Sequence, residues 1–246
     1  MKTSSRLPEK AANMIKSWIV TEKLKPGDRL PREDELIEKF GMAKSTIRES
    51  MRILETQGLL KSKTGPGGGV FIDNVSEARS QALLRNFFYF RELTVAGIYQ
   101  LRISLEPELA ASLSGRLTEE QIGELREHIT KYEEPPHNLE EEKYHHIESL
   151  AFHTMLANFS KNELLGFTVR FMIQLLSDLT TFKRLYDPPN YVLWSKGYDH
   201  HNRLIQAMEI GHAEEARHIM KSHMQIAQTL MEGQENIVRN LDFVLE

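Results

Sequence analysis

Apolar residues recur at Ala11, Met14, Ile15, Trp18 and Ile19, one stripe that predicts a helix from Pro8 to Val20. Pro8 suits an opening turn, where its missing N–H is no loss. Lys25-Pro-Gly-Asp28 reads as a turn. Arg32–Phe40 turns Leu36, Ile37 and Phe40 to one side and predicts a second helix, which Gly41 interrupts. Lys44–Gln57 predicts a third, with Ile47, Met51 and Leu54 inward and Ser45, Arg48 and Arg52 outward. Gly58 supplies a helix end. Leu59–Lys63 and Val70–Ile72 then read as two short strands joined by Thr64-Gly-Pro-Gly-Gly-Gly69.

Past residue 75 the period stays helical. Asn74 or Ser76 offers an N-cap for Ser76–Glu92, which carries Leu83, Leu84, Phe87 and Phe88. Thr94–Leu113 carries Ile98, Leu101, Leu105 and Leu109, and Pro107 inside it predicts a kink. Thr118-Glu-Glu-Gln121 is a capping box for a helix ending near Pro135-Pro136. Leu139–Ser160, Glu163–Leu185, Asn190–Gly211 and Ala213–Leu241 follow, with no alternating strand pattern among them. The predicted fold class is mainly α. A winged helix-turn-helix domain occupies residues 1–75, and an all-helical bundle of six or seven helices, to which the resemblance given below assigns ligand binding and dimerisation, occupies 76–246.

Charge sharpens this division. Residues 1–75 hold 14 Lys and Arg against 10 Asp and Glu, while the remainder holds 17 against 25. A basic first third on an acidic remainder points to a polyanion as partner for the first part only. A short basic helix set across a tight turn from another helix is the arrangement that enters the major groove of double-stranded DNA. Four glycines within Gly65–Gly69 raise a nucleotide-binding loop as an alternative. No Gly-Lys-Ser/Thr follows and a strand comes next, so bare backbone approaching a DNA groove fits better. No apolar run has the ~18 residues of a membrane span, and the first ten residues lack the apolar core of a secretory signal. With no cysteine in the chain, disulfides and thiolate metal sites are excluded and a cytoplasmic location is expected.

The run LPREDELIEKFGMAKSTIRESMRILETQGLL, followed by GPGGGVFI, resembles the N-terminal domain of GntR-family bacterial transcription regulators over residues 8–72. That resemblance implies that Lys44, Ser45, Thr46, Arg48 and Arg52 contact DNA together with the wing glycines Gly67, Gly68 and Gly69. The chain departs from the family pattern at Arg32, Asp34 and Ala43, where Ser, Arg and Ser are usual. The phosphate-contacting arginine of position 34 is thus missing, and Arg32 is the substitute.

Three histidines interrupt apolar stripes in the second part: His153 near Leu150, Leu156 and Ala157, His201 near Leu204, Ile205 and Met208, and His223 near Ile219, Met220, Ala227 and Leu230. Arg102 is similarly placed among Ile98, Tyr99, Leu105 and Leu109. Each histidine by itself reads as a hydrogen-bonded core residue; three on separate helices with an arginine read as a site if they converge. Arg102-Ile-Ser-Leu-Glu-Pro107, Ala151-Phe-His153 with Ser160-Lys-Asn162, His201 ten residues before Gly211, and His223 resemble the FadR-type ligand-binding domain over residues 79–235. The resemblance implies a divalent ion on His153, His201 and His223, and a small organic acid held by Arg102, with Tyr99 and Ser149 beside it.

Ser149 stands where metal-containing members have aspartate, which removes the anionic ligand. Glu148 is rotated ~100° around the helix and replaces it poorly. A histidine-only set favours zinc, nickel or copper over manganese; no organic cofactor is expected. His145 and His146 precede Ser149 by one turn, so either can face the pocket, whereas His128, His137, His200, His212 and His218 sit in polar surroundings and read as solvated. The function expected is that of a homodimeric DNA-binding regulator, a repressor rather than an activator, acting on a palindromic operator under control of a carboxylate, without enzymatic activity. An architectural DNA-binding dimer with a decayed pocket is the alternative, and a metal-dependent hydrolase a remote one.

Overall fold

In the computed structural model, residues 7–88 and 90–245 are described, apart from the side chains of 239–245. The chain forms two compact units, one ending at Leu83 and the other beginning at Leu84.

In the first unit, α1 (Leu7–Thr21) packs on α3 (Lys44–Thr56), with α2 (Glu33–Phe40) against α3 as well. Ala12, Ile15, Leu30, Leu54, Leu60 and Ile72 form the buried core, with Trp18, Phe40 and Met51 packed around it. The α2–α3 turn depends on Gly41, whose φ of 62° is left-handed, a backbone region costly for residues with a Cβ. Strands β1 (Leu60–Lys63) and β2 (Gly69–Ile72) pair antiparallel, from Leu60 opposite Ile72 to Lys63 opposite Gly69. The pairing extends beyond the predicted hairpin, because Leu30 N–H donates to Val70 O and Ile72 N–H to Asp28 O, both at 2.8 Å. The segment after the Lys25–Asp28 turn therefore covers the free edge of β2. Ser76, not Asn74, caps α4 (Glu77–Phe88), its Oγ accepting from Arg79 N–H at 3.3 Å.

The second unit contains α5 (Val95–Leu113), α6 (Glu119–Ile129), a 3-10 turn at Thr130–Tyr132, α7 (Leu139–Asn158), α8 (Glu163–Phe182), α9 (Tyr191–Glu209) and α10 (Ala213–Leu245). Side-chain caps set most of their starts: Thr94, Thr118, Asn138, Asn162 and Asn190 each accept from the backbone N–H three residues on. α5 runs through Pro107 as one helix and packs against α8 and α10, while α7 packs on α8 and α10 on α9. α8 stops before its expected end because Arg184 takes a φ of 51°, which folds Leu185 back so that its N–H bonds Thr180 O at 2.9 Å. Among the described residues no helix is long and apolar enough to cross a membrane.

This topology places α5, α7, α9 and α10 around one core, and each contributes a polar residue to its centre.

Candidate functional site

On the first unit, α3 carries its cations outward: the side chains of Lys44, Arg48 and Arg52 are 64 %, 59 % and 78 % exposed. Ser45 and Arg32 are exposed beside them. Thr46 is different. It is 7 % exposed and packs inward with Ile47, Ser50 and Leu54, so little of its side chain is open to the DNA contact that the resemblance implies. Glu33, at the start of α2, receives Arg48 Nε at 2.8 Å and lies 3.5 Å from Lys44 Nζ. The Arg48 hydrogen bond holds its carboxyl below the ordinary range.

The wing tip is held from below, since Arg29 donates to Gly68 O. A Cβ on Gly68 would lie 2.6 Å from Lys63 O, and one on Gly69 would lie 2.6 Å from Arg29 Nε. Close backbone packing therefore requires Gly68, while Gly69 meets only the Arg29 side chain and is favoured instead by its φ of 152°. Arg48→Ala is expected to weaken operator binding by about 10- to 100-fold, the value of one good base contact. Fluorescence anisotropy with a labelled duplex measures this, and unchanged affinity would remove α3 from the interface.

In the second unit the three predicted histidines meet. His201 Nε2 lies 3.2 Å from His153 Nε2 and 3.0 Å from His223 Nε2, and the last two are 3.3 Å apart. All three rings are buried. Two of the outer nitrogens face polar groups: Tyr132 Oη is 3.0 Å from His201 Nδ1, and Glu106 Oε2 is 2.5 Å from His153 Nδ1, a contact poorly aligned for hydrogen bonding. Phe152 stacks on His201 with ring centres 4.1 Å apart.

Glu106 also takes Arg102, whose Nε donates to Oε1 at 2.5 Å, and the Arg102 guanidinium lies 5.0 Å over the Tyr99 ring. Burial alone would raise the Glu106 carboxyl; Arg102 and then His153 outweigh it and hold it at about 2. Burial pushes His201 and His223 well below the ordinary histidine value, and His153 is lowered by burial against the pull of Glu106. The inner nitrogens therefore meet as neutral rings.

Residues 7–72 match the bacterial regulatory proteins of the gntR family, and residues 97–226 match the FCD domain. The chain belongs to the GntR family of transcriptional regulators, with a C-terminal FCD domain. YdhC, an HTH-type transcriptional regulator of Bacillus subtilis (strain 168), is 27 % identical over 232 residues, covering 91 % of this chain and 92 % of its own. LutR, an HTH-type regulator of the same organism, is 26 % identical over 224 residues, covering 87 % and 97 %. The solved structure of a Streptococcus agalactiae GntR protein has the same fold, with a TM-score of 0.61 at 24 % identity over 90 % of this chain and 99 % of that one. This GntR-family protein is a DNA-binding regulator and not an enzyme.

In the regulator's FCD domain a cavity adjoins the histidines, lined among others by Tyr99, Arg102, Glu142, His145, His146, Ser149, His153 and His223. The predicted effector residues Tyr99, Arg102 and Ser149 are thus together, and both His145 and His146 border the same space. Ser149 faces α9, where a Cβ on Gly197 would lie 3.7 Å from its Oγ and 3.9 Å from His223 Cε1. Glu148, rejected as a ligand on helical phase, pairs instead with Lys131 at 2.8 Å.

Two histidines expected to be solvated are buried: His128 bonds Glu148 O at 2.8 Å, and His200 bonds Lys196 O at 2.6 Å and stacks on His223. Each satisfies a ring nitrogen on a nearby carbonyl, which lets a residue in a polar-looking stretch turn inward. Glu106, Tyr132 and Glu142 were missed as site residues. Glu106 had a signal: a carboxylate four residues after an arginine on an otherwise apolar helical face.

Proposed function

We propose that this regulator binds a palindromic operator as a homodimer, represses from it, and is controlled by a small organic acid bound in its FCD cavity beside a divalent metal ion. The convergence of three neutral Nε2 atoms within 3.3 Å carries the metal reading. Metal–nitrogen bonds of about 2.0–2.1 Å place the nitrogens of a tetrahedral face about 3.3 Å apart, so the three rings fit an ion without moving far. Nδ1 of His153 lies beside the Glu106 carboxylate, and a proton held there would leave Nε2 with a lone pair for the ion.

Three neutral ring nitrogens this close set lone pairs or N–H groups against one another, whereas one cation would satisfy three lone pairs at once. His153, His201 and His223 would hold it, and it would offer a positive anchor for a carboxylate. An imidazole set favours zinc or nickel. Glu106 lies behind His153 and would supply a fixed negative charge to a site that has serine at position 149 in place of an anionic ligand. A relative in Escherichia coli (strain K12), 27 % identical over 238 residues, bears the name putative L-lactate dehydrogenase operon regulatory protein. That name is in keeping with an acid effector.

Control requires the acid to bind the DNA-competent and DNA-incompetent arrangements with different affinity. Selection of duplexes from a random pool by the purified full-length chain tests the DNA half of the proposal. The expected product is an inverted repeat of two half-sites. No enrichment would overturn sequence-specific binding, and a single unrepeated half-site would overturn the dimeric operator.

A further inference from the structure

The FCD cavity has a second end that the reading above does not use. Its lining along α7 comprises Glu142, His145, His146, Ser149 and His153, a spacing that puts all five on one helical face. Glu142 and Ser149 are about 10 Å apart along the helix axis. Ser149 lies beside Gly197 and His223, whereas Glu142 lies at the N-terminus of α9, where Asn190 N–H donates to its Oε1 at 3.0 Å.

Glu142 is 3 % exposed, and its Oε2 has no partner. It is the one buried carboxylate oxygen so left among the described residues. A buried acceptor facing a cavity without a donor is costly, and native structures seldom leave one unmatched. Arg102 is paired with Glu106 through Nε and one terminal nitrogen and makes no hydrogen bond to Glu142 Oε2. His145 Nδ1 and His146 Nε2 are also buried without partners on the same wall, and each can donate or accept according to its tautomer.

The geometry points to a ligand with two handles: a small organic acid with its carboxylate at the Arg102–histidine end and a hydrogen-bond donor, hydroxyl or ammonium, received by Glu142 Oε2. This rests on the proposed effector role of the cavity and adds what the acid must carry. A plain alkanoate would set its methyl end against an unpaired carboxylate oxygen. A donor-bearing acid removes that conflict, so Glu142 discriminates chiefly by rejecting the molecule that lacks the donor.

Calorimetric titration of the full-length chain provides the test. The probes are propanoate, butanoate, pentanoate and hexanoate, each beside its terminal hydroxy and amino counterparts. One donor-bearing acid is expected to bind at least about tenfold more tightly than the alkanoate of the same skeleton, and whether it is the alcohol or the amine identifies the donor.

In Glu142→Gln the amide oxygen keeps the Asn190 bond and the NH₂ group faces the cavity, so any preference for the amine should fall to about onefold. Glu142→Leu presents no acceptor and should abolish both preferences. Alkanoates that bind as tightly as their counterparts at every length, or a preference that survives in Glu142→Leu, would overturn the inference and leave the effector site standing. Failure of every acid to bind would overturn both together. If Glu142→Leu does not fold, the wild-type comparison alone decides.

Discussion

Glu106→Gln is expected to cost about 3–5 kcal/mol of unfolding free energy, the usual loss when one partner of a buried ion pair is removed. Arg102 is 1 % exposed and Glu106 0 %. The amide would leave a guanidinium in the bundle core without its counter-charge. Urea denaturation at neutral pH measures this, and a loss below about 1 kcal/mol would mean that another group neutralises Arg102. Arg102→Met combined with Glu106→Leu should recover most of the loss, since replacing both charges by apolar groups removes the desolvation penalty with the attraction. The pH dependence has a definite sign. A carboxyl held at about 2 against an ordinary 4.5 stabilises the folded state above the ordinary value, and that contribution is lost as pH falls through about 2.

His201→Ala should abolish stoichiometric metal. The wild-type chain, loaded with zinc or nickel and dialysed, is expected to hold about one ion per chain, because three imidazoles complete a usual ligand set. The variant should hold almost none, as His201 Nε2 is the atom that neighbours both other inner nitrogens most closely. Elemental analysis reads both outcomes. Tyr132→Phe removes the hydroxyl 3.0 Å from His201 Nδ1, and loss of such a supporting contact should weaken metal affinity by about 10- to 100-fold. A wild-type protein that retains no ion under these conditions would sink the metal reading, leaving a histidine cluster tied together by shared protons.

Periodicity made the helices legible, and it placed His153, His201 and His223 on inward faces because an apolar stripe states which side is buried. It could not state that three such faces meet at one point, since convergence depends on how α7, α9 and α10 cross. Glu106 escaped for a related reason. A lone carboxylate on an apolar face is read as an exception until its arginine and histidine partners are in view. The burial of Thr46 was not legible for a different reason, because small hydroxyl residues can be buried by bonding a carbonyl of their own helix, as the neighbouring Ser50 Oγ does with Ile47 O at 2.7 Å. The covered edge of β2 was invisible because Asp28–Leu30 is too short to show an alternating pattern.

Glu33 would give α3, if it is the helix that reads DNA, an internal competitor. Arg48 and Lys44 already face a carboxylate, so a phosphate or base edge that engages them must displace one ion pair to make another. Binding at those positions is an exchange, and its net gain is smaller than for a free cation. Fewer counterions are then released per contact, so affinity should fall less steeply with added salt than the number of cations on α3 would suggest. The loss falls hardest on random DNA, which offers charge alone, and least on an operator whose base edges can also satisfy Arg48. On that role for α3, an acid beside its cations should make the protein a poorer binder of DNA in general and a better judge of sequence.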